Sequence, residues 1–289
     1  MIRMSTLTRR NFAKLAGASL TLGKTMSGGS LTANQVVERI RGNLGIPWNE
    51  KTYRDTFKVG NPNIAVRGIA STFMSTLDVL QRAHTAGLNM VVTHEPTFWS
   101  DEDEQKSLTD DPLYKYKVAF VEKNNMVVWR FHDHWHAHKP DGIFAGWNKA
   151  LHWDRYLPDP SERVYVIPPA TLESVVNHVR DTLKTDSIRV IGDPALMVTR
   201  IGRGAHTLSG NVAMMPRVDC LLVSEAREWD SIEFCRDTVL SGQKKGMILI
   251  SHEAGEEAGM NECAKWLRGF ITEVPVQFID SHDPFWRPA

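Results

Sequence analysis

The stretch Leu88-Asn89-Met90-Val91-Val92-Thr93-His94-Glu95-Pro96 decides how the chain is read. Leu88 to Val92 is a short apolar run that reads as a buried strand. It ends on an imidazole and a carboxylate, which Pro96 keeps out of a helix. The arrangement recurs twice: Met126 to Phe131 leads into His132-Asp133-His134-Trp135-His136, and Met247 to Ile250 leads into Ser251-His252-Glu253-Ala254-Gly255-Glu256. A helix-patterned segment precedes each run. The first is Thr76 to Ala86, with Ser75 as N-cap and Gly87 as the left-handed stop. The others are Leu113 to Glu122, with Leu113, Tyr116, Lys117, Phe120 and Val121 on one side, and Ser231 to Leu240. In an open α/β sheet, side chains at the carboxyl ends of strands face the crevice where ligands bind.

Working outward, Ser30 or Thr32 caps a helix carrying Val36, Val37, Ile40 and Leu44, and Ala65 to Thr72 is strand-like. Asp101 to Asp111 reads as a solvated acidic loop, and Asp141 to Trp153 as a helix or loop near the histidines. A second unit begins near Arg163. It has a strand at Val164 to Ile167, then a helix at Leu172 to Leu183 started by Pro168-Pro169, then strands at Ile188 to Ile191 and Leu196 to Ile201. Gly202 to Gly210 is irregular, and the strand Cys220 to Val223 ends in Ser224-Glu225. This alternation predicts the α/β class with largely parallel sheet. Neither a G-x-G-x-x-G fingerprint nor a Walker sequence occurs, so no phosphate-cradling loop is assigned.

The 289 residues carry 34 Lys+Arg and 34 Asp+Glu. Residues 1–33 hold five of the basic side chains (Arg3, Arg9, Arg10, Lys14, Lys24) and no acidic one, which leaves 29 against 34, or −5, for the remainder. A mildly acidic body without a basic run excludes nucleic acid as the main partner, and no apolar stretch is long enough to span a bilayer. Cys220, Cys235 and Cys263 are widely spaced; they leave room for one disulfide but form no thiolate metal motif. Thr8-Arg9-Arg10-Asn11-Phe12-Ala13-Lys14, followed by the weakly apolar Leu15 to Leu22, resembles a twin-arginine export signal. The expectation is export to the periplasm by that machinery, with residues 1–33 outside the fold.

His132 and His136 are spaced i, i+4, as are His252 and Glu256, and that spacing places both groups on one side of a helical turn. Imidazole and carboxylate without thiolate favour zinc, manganese, iron, cobalt or nickel. Six candidate ligands (His94, Glu95, His132, His136, His252, Glu256) exceed the needs of one tetrahedral ion. They match two divalent ions sharing a carboxylate and a bridging hydroxide. Glu225 and Asp133 are candidates for a general base or for orienting a ligand histidine. His134, His138 and His152 read as mainly structural, and His84, His178, His206 and His282 as surface or helix residues.

These motifs resemble those of the NIF-three-like family of dinuclear-metal-centre proteins, some described as GTP cyclohydrolase 1 type 2, over roughly Ser30 to Trp286. His94-Glu95-Pro96 matches a His-His-Pro element, and His132 with His136 matches His-x-x-x-Asp. His252 with Glu256 matches His-x-x-x-Glu without change. Ser224-Glu225 stands for a Gly-Glu element, with Glu228-Trp229 where histidines are usual, and Asp283-Pro284-Phe285 is family-like. Two ligand positions depart from the pattern, His to Glu95 and Asp to His136, and their charge changes cancel. The resemblance implies two linked α/β lobes with mixed, largely parallel sheets, divided as 34–160 and 161–245. It also implies a segment 246–289 that returns to the first lobe, and a homohexameric ring. The function expected is a metal-dependent hydrolase acting on a small substrate other than GTP, which an exported protein would not meet. A non-catalytic metal-binding or scaffold ring is the alternative. The alternating histidines at 132, 134 and 136 also suggest a metallo-β-lactamase-like hydrolase, but the Asp-His pair that should follow is missing.

Overall fold

The computed structural model describes residues 30–286 and 288, so the twin-arginine stretch Thr8 to Leu22 lies outside the described residues. The first elements are α1 (Ala33–Asn43), β1 (Phe57–Gly60), β2 (Ile69–Met74), α2 (Leu77–Thr85), β3 (Met90–Glu95), α3 (Pro112–Lys123), β4 (Val127–Arg130), α4 (Asp133–Ala137) and α5 (Gly142–Ala150). There follow β5 (Val164–Thr171), α6 (Leu172–Leu183), β6 (Arg189–Ile191), β7 (Met197–Arg203), α7 (Leu208–Met214), β8 (Cys220–Val223), α8 (Glu233–Leu240), β9 (Gly246–Leu249), α9 (His252–Arg268) and β10 (Val276–Phe278).

The strands form two five-stranded mixed sheets, ordered β1-β4-β3-β2-β10 and β5-β7-β8-β9-β6. The first is parallel except where β1 meets β4. The second is parallel across β7-β8-β9 and antiparallel at both edges. Central strands such as Cys220–Val223 are buried throughout, because helices cover both faces. On the first sheet, Met90, Val127 and Trp129 pack under α1 and α9 through Val36, Ile40, Met260 and Leu267. Ala70, Val91 and Val128 point the other way, onto Val79 and Leu80 of α2 and Val121 of α3. The second sheet has α5 and α6 on one face, through Trp147 and Val175, and α7 and α8 on the other, through Met214 and Cys235.

Helices α5 and α9 cross at backbone distance. A Cβ on Gly146 would lie 2.4 Å from the Ala258 carbonyl oxygen, and one on Gly259 would lie 2.4 Å from the Ile143 Cα. After α9 the chain returns to the first sheet, where β10 pairs in parallel with β2.

Several local expectations are corrected. Thr76, not Ser75, caps α2, its hydroxyl accepting from the Val79 amide at 3.1 Å. Ser75 is buried instead, 3.0 Å from the Thr97 hydroxyl. Pro168 and Pro169 lie within β5, and Thr171 caps α6. The short helix α7 occupies part of the stretch that reads as irregular, since its roughly two turns carry too little periodicity to register. Leu113 and Tyr116 are exposed rather than packed. The acidic loop is anchored: Asp103 is buried and accepts from the Phe98 amide at 2.7 Å, and Asp101 pairs with Arg54 and Arg130. All three cysteines are buried and free, so no disulfide forms.

Candidate metal centre

The first sheet delivers two of the histidine motifs directly. β3 ends in His94, which is completely buried, and Glu95. Buried Arg130 holds this corner: its Nε donates to the His94 carbonyl at 2.9 Å, and its Nη2 lies 3.4 Å from Glu95 Oε2. Glu95 Oε1 is thereby left facing imidazoles, 3.7 Å from His132 Nε2, 3.8 Å from His252 Nε2 and 4.0 Å from His94 Nε2. β4 runs into α4, whose first turn is capped from outside. The buried Asp55 carboxylate accepts from the amides of His132, Asp133 and His134 at 2.6, 2.9 and 2.9 Å. On that turn the i, i+4 spacing brings the His132 and His136 rings 4.9 Å apart, with His94 at 4.5 and 5.0 Å from them.

The third motif comes from the second sheet. Ser251 follows β9 and caps α9, accepting from the Ala254 amide at 3.1 Å. His252 and Glu256 then face the same cavity one turn apart, with Nε2 to Oε2 at 3.0 Å, and the same Glu256 oxygen is 3.3 Å from His94 Nε2. His94 Nε2, His252 Nε2 and Glu256 Oε2 are all buried and none makes a hydrogen bond. Buried polar atoms seldom lack partners, and atoms this close without hydrogen-bond geometry are arranged as ligands around a shared cation. The donor set therefore fits a metal.

Four imidazoles are fixed by the same device. His94 Nδ1 lies 3.1 Å from the Phe131 carbonyl, His132 Nδ1 3.0 Å from Asp133, His136 Nδ1 3.0 Å from Asp141 and His252 Nδ1 2.7 Å from Glu225. Carbonyls and carboxylates only accept, so each Nδ1 donates and each Nε2 is the nitrogen turned to the cavity, where the neutral imidazole offers its lone pair. Asp133 is further engaged by Thr52 and Arg54, and Asp141 also caps α5 through the Ile143 and Phe144 amides. Glu225 reaches His252 from a backbone with φ +147°, a sparsely populated conformation for a residue with a side chain.

Burial alone would raise the Glu256 carboxyl, but His252 and His94 beside it hold it well below the usual range. Burial lowers His252, and Glu225 with Glu256 more than reverses this, lifting it to about 10. His132 is pushed down to about 3 by burial and then by His94 and His136. Without a cation, then, the two ends of the cluster hold protons very differently.

Three overlapping groups have ligand atoms within 4.8 Å of one another: His94 with His132 and His136; His206 with His252 and Glu256; and His94 with Glu95 and Glu256. All six expected ligands thus converge. His206 joins them although its sequence context reads as surface; its ring lies 4.4 Å from that of His252, and its Nε2 is 3.0 Å from the Ser224 hydroxyl. Its glycine-bearing stretch gives no apolar run to mark it. Asp141 joins the site as well, and an aspartate opening a helix five residues after His136 is the signal the sequence offers for it. His134 points away: it is buried, stacked on Trp48, paired with Asp55 and accepting from the Asn49 amide, so the alternating-histidine reading fails. Glu228 pairs with Arg189 on the surface.

The cavity has a volume of about 250 Å³ and is also lined by Phe144, Trp147, Arg163, Arg203 and Ser224.

The model of the Duf34/NIF3 (NGG1p interacting factor 3) family matches residues 31–284, and the chain belongs to that family. Its fold is similar to that of Staphylococcus aureus protein SA1388 (14% identity, TM-score 0.66, covering 89% of this chain and 99% of that one). A Bacillus cereus protein related to NIF3 is similar at 11% identity, TM-score 0.69 and coverages of 89% and 99%. Reduced HcgD from Methanocaldococcus jannaschii is similar at 14% identity, TM-score 0.59 and coverages of 86% and 97%. No curated protein matches the chain.

Proposed function

We propose that the chain is a dinuclear-metal hydrolase acting on a small phosphorylated or amide substrate. The observation that carries this reading is the set of four imidazoles pinned at Nδ1 with their Nε2 atoms turned into one cavity. His94, His132 and His136 would hold one divalent ion and His206, His252 and Glu256 a second, with Glu95 beside both groups. The donors suit zinc, manganese, iron, cobalt or nickel. Such ions supply Lewis acidity toward a substrate oxygen and bring the pKa of coordinated water down to ~7. Asp133, Asp141 and Glu225 act as positioning residues that keep the Nε2 lone pairs aimed, while Phe144 and Trp147 exclude bulk water from the cavity.

A non-catalytic metal-binding scaffold is the second reading. It is favoured by the engagement of Asp133 and Glu225 with histidines, which leaves Glu95 and Glu256 as the carboxylates lining the cavity among the described residues. Export to the periplasm, supported by the Arg9-Arg10 motif, and a homohexameric ring, supported by the family resemblance, belong to the same proposal; cell fractionation and sedimentation test them.

Elemental analysis of the wild type should give about two ions per chain, as two-metal hydrolases hold, with fewer in Glu95→Ala and His136→Ala. One ion or none, unchanged in either variant, defeats the reading. Two ions with no turnover of phosphate esters or amides selects the scaffold.

A further inference from the structure

The wall of the cavity beside the metal ligands carries buried donors that meet no charged acceptor. Arg203, at the end of β7, is only 5% exposed, and its Nε and Nη1 are buried with no hydrogen-bond partner. Its guanidinium carbon sits 3.3 Å over the Phe144 ring, and that of Arg163 lies 5.8 Å from the same ring. Trp147 Nε1, a donor only, is likewise buried without a partner on this wall. Among the described residues no carboxylate lies within 4.0 Å of either guanidinium; Asp141 acts on Arg203 only at longer range, and it is committed to His136 and the α5 cap. The Tyr165 hydroxyl interacts with both Arg203 and Trp147, but it donates to Asn148 and stays neutral, because burial pushes it up to about 12, so it supplies no counter-charge. A buried cation without a counter-ion is unfavourable in the isolated protein, and an anion arriving in the cavity removes that penalty.

We propose that Arg203, with Arg163 beside it, receives a phosphate-type oxyanion of the substrate, so that the substrate is a small phosphorylated molecule held between this wall and the metal ligands. The inference rests on reading the cavity as the substrate site and narrows that reading to one class. Guanidinium suits phosphate because it is permanently charged and offers several donors in one plane. A cavity of about 250 Å³ accommodates a small molecule rather than a polymer.

The test uses inorganic phosphate and the full chain stripped of metal by chelation, with calorimetry and Trp fluorescence as readouts. Wild type should bind phosphate, at least tenfold more tightly than acetate. Arg203→Gln should weaken phosphate at least tenfold, and Arg163→Gln, at an exposed position, severalfold. Metal content measured separately should stay at the wild-type level in both variants. Phosphate binding unchanged in both variants, or acetate binding as tightly as phosphate, overturns the proposal. If Arg203→Gln fails to fold, loss of the phosphate-induced rise in Tm in Arg163→Gln decides it, and retention of that rise counts against it. Phosphate binding that depends on Arg203 in a chain that never takes up metal keeps this inference and removes the metal reading, so the two failures are distinguishable.

Discussion

Glu256 and Glu257 are successive residues of α9, and burial pushes both carboxyls upward, yet they end on opposite sides of the ordinary range. Glu256 faces His94 and His252 and is held well below it. Glu257 faces away from the metal ligands, accepts from the Ser281 amide at 2.5 Å, and is raised to about 8 by burial, then by Glu253 and Asp280. The difference lies in the neighbours rather than in desolvation. One side of the helix faces the candidate metal ligands. The other lines a second, acidic crevice with Glu253, Asp186 and Asp283.

The strongest way to break this comparison is Glu256→Gln, which keeps the shape and removes the charge. Metal content by elemental analysis should fall by about half, because Glu256 belongs to the groups formed with His206 and His252 and with His94 and Glu95, whereas His94, His132 and His136 gather without it. Retention of a full complement would mean Glu256 is not a ligand.

Displacing the helix should disturb both sides together. Gly146→Val places a side chain against the Ala258 carbonyl and the Gly259 Cα of α9, backbone atoms that cannot rotate aside. A loss of ~3 kcal/mol in urea unfolding is expected, at the upper end of the usual cost of overpacking. Metal content should fall with it.

Two finer changes separate the partners of the imidazoles. Asp141→Asn and Glu225→Gln should each weaken metal binding by roughly 10- to 100-fold, the usual effect of losing a carboxylate behind a ligand histidine. Asp141→Asn acts at His136 and Glu225→Gln at His252. Competition with a chelating dye measures both, and equal affinity to wild type would mean the Nδ1 contacts do not position the rings.

The smallest effect concerns Glu257. Its folded-state pKa is raised, so the stability it contributes is present in full below its ordinary value of 4.5 and lost as pH rises toward about 8. Glu257→Gln should therefore gain in urea midpoint relative to wild type between pH 5 and pH 8. Glu256 runs the other way in the metal-free chain: its contribution is present above the carboxylate range and lost in acid. Parallel pH profiles for wild type and Glu257→Gln would remove the contrast.

Where the signal was local, the sequence was readable. Leu88 to Val92 and Met247 to Ile250 are apolar runs against polar flanks, and the groups that follow them reach the cavity by a single turn. What could not be read depends on partners distant in the chain. Asp55 caps α4 from 77 residues away, Arg130 sits inside an apolar run while organising His94 and Glu95, and Arg203 gains meaning only when β7 lies beside α5. The cap of α2 falls at Thr76 rather than Ser75; the two carry the same chemistry, and only burial against Thr97 separates them.

The resemblance puts Glu95 and His136 where His and Asp are usual, and both line one cavity with Glu95 Oε1 near three imidazole Nε2 atoms. A lineage changing position 95 first would have added a negative charge among the ligands, and one changing position 136 first would have removed one. Glu95→His and His136→Asp should therefore each be worse than the double variant, a reciprocal dependence that would have made the exchange hard to enter and, once complete, hard to reverse.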